Sequence, residues 1–403
     1  MPRLVLRNLA SSHLDPNLLL ILGSSWRDLG VWQLGFFTVW FLMRSWVIDL
    51  MKFLAAQCIV IHHLLSYGPM RDVLEREYPR IVDALFTGSR LAVQLFLVIG
   101  GYLTAQSLMR ARGAHLGDLL VKRYLRLTPF YLMSLVICAA VVGALGDWVC
   151  QDWVPEGVTW TQLLAHALLL QGVLHVPSMS AGVWYVAIDF QLFAMVAFLA
   201  SLCRKNGWTS IKVSANLIWV LALLTFSSLW FFNLTQTWDD WAIYFMGAYG
   251  LGLLAAFAAR FDNARPLFFA VWLFGWASLT QFWRVRILVA LMGAILLYCY
   301  ADHSGEFLSP AFKRRLSQLG NAAYATFLNH FAWVVIFSAL WNAADLHGVV
   351  QALVMILLCW FSALAWGLVL HRFVEPCLSQ ALTGLQRGLS RLGFGPKPME
   401  SFH

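Results

Sequence analysis

A lysine and two histidines interrupt the apolar stretch "IDLMKFLAAQCIVIHHLLSYGPM", residues 48–70: Lys52, His62 and His63. Ionisable groups inside a bilayer cost roughly 2.5–3.5 kcal/mol each on insertion scales, so sequences keep them mostly where they function. Lys52 and His63 are eleven residues apart, so a helix presents both on one face, about 16 Å apart. An imidazole titrates near neutral pH and serves as a general base. The alternative, that these residues only anchor the two membrane interfaces, stays open.

A metal site is not predicted from these histidines. Adjacent residues point about 100° apart on a helix, and no acidic residue stands at a ligand spacing from His62 and His63. The seven cysteines are scattered and form no C-x-x-C pair. The sequence therefore favours neither a zinc site nor a disulfide framework.

Two further stretches carry opposite charges. Asp189 and Gln191 stand in the otherwise apolar "VWYVAIDFQLF", residues 183–193, and a carboxylate there is expected to face the bundle interior and meet a cation. A structural ion pair with Lys52 or an arginine is as consistent with this pattern as a catalytic role. In "RYLRLTPFY", Arg123 and Arg126 are one helical turn apart; they serve either as topological anchors or as phosphate ligands.

A last group of polar residues lies toward the C-terminus. "NAAYATFLNHFAW", residues 321–333, places His330 in an apolar segment with Tyr324 and Asn329 nearby. A histidine in the middle of a span is more often functional than structural. "LHRFVEPCL" contains Glu375 and Pro376 and is equally consistent with the end of a helix.

The elements that must position these residues are membrane helices. The 403 residues are 60% hydrophobic and only 12% charged, with a mean hydropathy of +0.70, whereas soluble proteins carry about a quarter charged residues. The prediction is an all-α integral membrane protein with about ten transmembrane helices and a short re-entrant or interfacial helix at 163–176. The predicted spans are 46–67, 91–110, 125–145, 183–203, 213–232, 240–260, 267–283, 286–301, 321–341 and 349–371.

Basic residues predict the orientation of these spans. Lys and Arg alternate between loops so that both termini are cytoplasmic, which accounts for the net charge of +8 without a nucleic-acid partner. One predicted outer loop, 68–90, mixes basic and acidic residues, as on a solvated surface. Residues 1–43 are predicted to be an N-terminal extension, either interfacial or preceding the true start, followed by a membrane domain at 44–378 and a cytoplasmic tail at 379–403. The sequence sets no oligomeric state.

Six motifs in order resemble the acyltransferase-3 family of integral membrane acyltransferases. They are "IDLMKFLAAQCIVIHH", "RLAVQLFLVIGGYLT", "RYLRLTPFY", "WYVAIDFQLF", "AYATFLNHFAW" and Glu375-Pro376, and they cover about residues 45–378. Lys52 stands where the family usually has Arg, Asp189 where it has Glu, and Gly100 where it has Ser; the usual Pro after the histidine is missing beyond His330. Lys keeps the charge of Arg but loses its bidentate fork.

The resemblance implies transfer of an acyl group, by preference acetyl, from cytoplasmic acyl-CoA to a hydroxyl group of a glycan or lipid-linked acceptor in the bacterial inner membrane. It implies that His63 acts as general base or briefly carries the acyl group, that Lys52 stabilises charge along the thioester path, and that Asp189 orients the cationic groups. The residues expected to bind the donor are Arg123, Arg126, Tyr324 and His330.

Two other functions remain open from the sequence. Intramembrane Lys, Asp and His residues also form proton relays in transporters and flippases, although no internal repeat of the kind common in transporters is found. A membrane-bound sensor or scaffold without catalysis is the third possibility, because several motif positions are substituted.

Overall fold

A computed structural model describes residues 45–111, 115–149, 151–155, 157–203, 214–303 and 305–391. Within these ranges the chain forms fourteen α-helices and no strand. They are α1 Trp46–Leu64, α2 Pro69–Glu77, α3 Pro79–Arg90, α4 Ala92–Arg110, α5 Leu116–Val149, α6 Trp160–Ala167, α7 Trp184–Leu202, α8 Ala215–Trp230, α9 Ala242–Arg260, α10 Arg265–Gln281, α11 Val285–Tyr300, α12 Pro310–Ala343, α13 Val349–Val369 and α14 Glu375–Arg391. A π-helical turn, Leu370–Val374, joins the last two.

The all-α membrane fold is confirmed, but the count of ten spans is not. Eight helical segments of the described chain are long and apolar enough to cross a bilayer. The predicted spans 267–283 and 286–301 form α10 and α11, which have 17 and 16 residues. Both are shorter than the roughly 20 residues that a perpendicular span requires.

Helix α9 is the most enclosed element of one half of the bundle. Its residues are buried along almost the whole length, against α4, α8, α10 and α11. Two glycines allow its backbone to touch that of α4: a Cβ at Gly101 would lie 1.9 Å from the carbonyl oxygen of Tyr249, and one at Gly252 would lie 1.9 Å from that of Val98. Small residues of this kind are typical of tight helix packing in membranes.

The other half of the bundle is built on the 34-residue helix α12. It packs against α1, α5 and α13. Asn329 of α12 donates to the Ser134 hydroxyl of α5 at 3.0 Å, and Trp360 of α13 donates to Gln57 of α1 at 2.8 Å. Outward-facing side chains of α13, such as Leu357 and Phe361, are exposed, as expected for a helix that faces lipid.

The short segment predicted at 163–176 enters the bundle. Helix α6 is followed by turns in which Leu169 is fully buried with φ of 57°. Tyr124 of α5 donates to the carbonyl of Ala167 at 2.7 Å, and Gln191 of α7 donates to that of Leu169 at 2.9 Å. Non-helical backbone at membrane depth is tolerated where protein groups satisfy it, so these contacts favour a re-entrant over an interfacial position.

The buried side chain of His166 holds this segment in place through two hydrogen bonds. Its ring is buried; Nδ1 donates to the Gln162 carbonyl at 2.8 Å and Nε2 accepts the Met179 N–H at 3.2 Å. Only a neutral imidazole makes both bonds. In agreement, burial lowers the pKa of His166 below its usual value.

The predicted domain limits are only partly covered by the described residues. The N-terminal extension 1–43 lies outside them, as do residues 392–403. Helix α14 begins at Glu375 and continues to Arg391, so it crosses the predicted limit at residue 378 without a break. The domain boundaries stay predictions.

Candidate active site

Two buried histidines from distant parts of the chain meet inside the bundle. His63 lies in the last turn of α1, and His330 lies in the middle of α12. His63 Nδ1 is 2.7 Å from His330 Nε2, and the rings stack with centroids 4.8 Å apart and an interplanar angle of 8°. The two side chains are 8% and 1% exposed. The sequence predicts both as functional residues but not that they contact each other.

The hydrogen-bond partners of this His pair determine where its protons lie. His330 Nδ1 is 2.6 Å from the carbonyl oxygen of Phe327, which only accepts, so this nitrogen carries a proton. In neutral His330, Nε2 is then an acceptor, and His63 donates to it through Nδ1. The remaining nitrogen of His63, Nε2, therefore keeps a free lone pair. This is the tautomer that a general base requires.

His63 lines a cavity of about 640 Å³ at the end of the bundle where α1 ends. Aromatic side chains form a large part of its walls, and its polar lining includes His62, Ser66, Arg71 and Arg90. A cavity of this size with apolar walls and a few polar groups is typical of sites for small molecules. His63, but not His330, thus faces a space in which a substrate fits.

A glycine brings the loop before α7 against the His pair. Gly182 has φ of 79°, and a Cβ there would lie 3.3 Å from His63 Cε1 and 3.2 Å from Phe327. A side chain is disfavoured both by this left-handed backbone and by the close contacts. The loop therefore forms one wall of the cavity at van der Waals distance from the imidazole.

His62 lines the same cavity, although the helical spacing predicts that it points away from His63. Its ring centroid is 5.1 Å from that of His63 and 4.6 Å from that of Phe86. Its Nδ1 donates to the Phe86 carbonyl at 2.9 Å. Because Phe86 belongs to α3, His62 connects α1 to the helix that covers the cavity.

Asp189 meets the cation predicted for it, and that cation is Arg123. The Asp189 carboxylate and the Arg123 guanidinium form a close ion pair between α7 and α5, with side chains 7% and 15% exposed. The guanidinium also lies over the ring of Phe193, 5.1 Å from its centroid. A buried pair of this kind is strongly destabilised when one partner is removed. Arg123 is therefore engaged inside the bundle and is not presented at its surface.

The ion pair lies close below the cavity. Tyr185, one helical turn before Asp189 on α7, lines the cavity and donates to the carbonyl of Phe96 at 3.0 Å. Its ring, that of Phe96 and that of Phe327 have centroids 5.6–5.8 Å apart. Three aromatic side chains thus separate the His pair from the buried charges.

Arg126 and Tyr324 lie in electrostatic range of the ion pair, and neither is among the cavity-lining residues of the described chain. Arg126 is exposed, in electrostatic range of Arg123 and of Glu375 at the start of α14. Tyr324 donates to the carbonyl of Leu127 at 3.3 Å. Since Tyr324 precedes His330 by six residues on α12, the two are about 9 Å apart along the helix. Tyr324, one of the residues predicted to bind the donor, therefore lies within two helical turns of His330.

Lys52 is partly buried, in the second turn of α1. It is not among the cavity-lining residues of the described chain. Its position on the same helix face as His63, about three turns away, follows from the continuous helix Trp46–Leu64.

The sequence did not identify most of the cavity walls. Gly182, Tyr185 and Phe327 stand within or beside quoted motifs, but aromatic residues are common throughout the chain and carry no signal by themselves. The sequence places Arg71 and Arg90 on a solvated outer surface; Arg90 is exposed and Arg71 partly so, but both also line the cavity, which the sequence does not predict. One sequence signal for the cavity is Arg90, a basic residue at the end of α3 that stands directly before an apolar span. Within the described residues, no three His, Cys, Asp or Glu side chains are grouped so that they would hold a metal ion.

Comparisons with known proteins add an independent result. A family model described as an acyltransferase domain matches residues 46–372. Among curated proteins, the chain is similar to "Regulator of hypoxia-inducible factor 1" of Caenorhabditis elegans, with 27% identity over 176 residues. That match covers 40% of this chain and 34% of the relative, so the chain spans about a third of the relative's length. No solved structure matches.

Proposed function

Because this chain belongs to the acyltransferase-3 family of membrane acyltransferases, we propose that it transfers an acyl group from acyl-CoA to a hydroxyl group of a glycan or lipid-linked acceptor. Acetyl is the proposed acyl group. The observation that carries this proposal is the buried His63–His330 pair. In this pair, Nε2 of His63 carries no proton, and His63 lines a cavity of substrate size. The proposed location is the bacterial inner membrane, with both termini in the cytoplasm.

In the proposed reaction, His63 is the general base. Its Nε2 takes the proton of the acceptor hydroxyl while the oxygen attacks the thioester carbonyl. The new C–O bond forms, the C–S bond breaks, and the proton passes from His63 to the departing CoA sulfur. A base within hydrogen-bond reach of the attacking group typically accelerates such a step by 10²–10⁴-fold.

His330 is proposed as a positioning residue. By accepting the Nδ1 proton of His63, it fixes the tautomer and the ring orientation, and its own Nδ1 is fixed by the Phe327 carbonyl. An imidazole in the wrong tautomer, or one whose orientation is not fixed, catalyses proton transfer more slowly. This assignment replaces the donor-binding role that the sequence suggests for His330, because the ring is fully buried against His63.

The donor is proposed to approach from the Arg126 side. Arg126 is exposed, and no ion pair of its side chain is found in the described part of the chain, so it is the guanidinium best placed for CoA phosphates. Tyr324 lies beside this entrance. Arg123 and Asp189 form the charged wall of the path, and Lys52, about three turns before His63 on α1, would stabilise negative charge of the donor along this path and not at the reacting carbonyl.

The decisive experiment compares two substitutions of His330 in purified protein supplied with labelled acetyl-CoA and membrane glycan or lipid. Gln keeps an acceptor for the His63 Nδ1 proton, whereas Leu removes it. We expect His330→Leu to lower kcat at least 10²-fold with KM for the donor nearly unchanged, and His330→Gln to restore a large part of the rate. Equal losses in the two variants, with both proteins folded, would remove His330 from the mechanism.

A second experiment tests the donor side. Arg126→Gln should weaken binding of CoA about 10–100-fold, since a hydrogen bond to a charged group contributes about 1.5–3 kcal/mol. Arg110→Gln, an exposed arginine at the end of α4, is the matched control and should bind CoA nearly as well as the unchanged protein. If Arg126→Gln behaves like the control, Arg126 is only a topological anchor.

A further inference from the structure

The cavity next to His63 carries an excess of positive charge. Two arginines line it, Arg71 from α2 and Arg90 from the end of α3, and none of the described lining residues is Asp or Glu. Arg71 is neutralised outside the cavity, because it pairs with Glu75 at 2.8 Å and with Asp72 at 3.5 Å. Arg90 makes no ion pair within 4 Å among the residues that the structure describes.

Arg90 stands close to the reacting histidine. It lies within electrostatic range of His62, whose ring centroid is 5.1 Å from that of His63. His62 donates to the Phe86 carbonyl of α3, the helix that carries Arg90, and Arg90, His62 and His63 all line the same cavity. Arg90, which has no ion pair among the described residues, and His63, whose Nε2 carries no proton, therefore line one ligand-sized space.

Given the proposed function, we infer that the acceptor is an alcohol that also bears an anionic group, with its hydroxyl at His63 and its anionic group at Arg90. A guanidinium binds carboxylate or phosphate through paired, charge-assisted hydrogen bonds. A cavity lined by one sign of charge also concentrates ligands of the opposite sign. The aromatic walls leave the remainder of the cavity suited to an apolar face, such as that of a sugar ring or the start of a lipid chain.

The experiment uses acceptors in pairs that differ in their anionic group. For the glycan source the pair is methyl glucuronide and methyl glucoside. For the lipid source it is phosphatidylglycerol and diacylglycerol in mixed detergent micelles. Transfer of label from acetyl-CoA is measured for the unchanged protein, for Arg90→Gln and for the control Arg80→Gln, an exposed arginine of the same helix that is not among the cavity-lining residues described.

We expect the unchanged protein to favour the anionic member of one pair, and Arg90→Gln to lower kcat/KM for that member about 10–100-fold. The neutral member should change less than about threefold, and Arg80→Gln should behave like the unchanged protein. The pair that responds identifies the source of the anionic group. Equal transfer to the anionic and neutral members in both pairs, or an equal loss for both members in Arg90→Gln, would overturn the inference while the acyltransferase function stands. Transfer to none of the four acceptors would overturn the inference, and absence of any acetyl-CoA consumption would also refute the proposed function.

Discussion

Replacing Gly100 with alanine tests how tightly the buried ion pair is built. In the structure, a Cβ at this position of α4 would lie 2.8 Å from Asp189 Oδ1 and 3.1 Å from Tyr249 Cε2. The first distance is about 0.7 Å shorter than the optimal separation of non-bonded heavy atoms. The carboxylate has little room to retreat, because Arg123 holds its other oxygen. The methyl group must therefore displace the ion pair, the tyrosine ring or the helix.

Overpacking of this kind costs about 1–3 kcal/mol, while Gly to Ala in a helix interior gains up to about 1 kcal/mol. Gly143→Ala separates the two effects, because Gly143 is also in a helix interior, on α5, and a Cβ there meets nothing within 4 Å. The difference between the two variants, about 1–3 kcal/mol, then reports the overpacking at Gly100 against Asp189 and Tyr249.

Thermal unfolding in detergent, followed by tryptophan fluorescence, is the assay. The midpoint should be several degrees lower for Gly100→Ala than for Gly143→Ala. In an Asp189→Asn background the gap should change by a measurable coupling energy, since the two sites are in contact. Equal midpoints for the two glycine variants, in both backgrounds, would refute the close packing of Gly100 against Asp189.

Two further predictions concern the glycine loop and the re-entrant segment. Gly182→Ala should lower kcat, because the added Cβ presses on His63 and Phe327. It should also lower the unfolding midpoint, because a left-handed residue with a side chain costs about 1–2 kcal/mol. An unchanged kcat would contradict the close contact with His63. The lowered pKa of His166 means that the unfolded chain, with its imidazole near pKa 6.5, binds the proton more readily, so stability falls as the pH drops below about 6.5. His166→Gln, which keeps an acceptor for Met179, should reduce that fall in unfolding midpoints measured between pH 5.5 and 7.5; identical pH profiles would show that His166 does not contribute.

The sequence predicts the chemical groups of the site better than their partners. Burying an ionisable group in a membrane is costly, so such a residue is expected to have a function. This argument selects His63, Asp189 and His330 as candidates from the sequence alone. Which residues meet depends on how the helices pack, and helical periodicity does not encode that. The sequence left Lys52 and any arginine open as the partner of Asp189, and only the packing of α7 on α5 selects Arg123.

The length of helices explains the remaining differences. The predicted span 125–145 lies inside α5, whose 34 residues begin at Leu116, so Arg123 lies well within a helix and can reach Asp189. Hydropathy detects only the apolar part of such a helix, since charged turns at its end lower the average. The mixed charges of residues 68–90 correctly indicate solvent exposure, but they do not reveal that Arg71 and Arg90 also line the cavity.

The most direct test of the proposed chemistry is the single-turnover rate of acyl transfer from labelled acetyl-CoA in His63→Ala, measured beside His62→Ala. His62 lines the same cavity but its Nδ1 is used to hold Phe86, so it controls for damage to the cavity. Base catalysis by His63 predicts a loss of 10²-fold or more in His63→Ala, with CoA binding retained, and a much smaller loss in His62→Ala. A His63→Ala rate within threefold of the unchanged protein would contradict the mechanism.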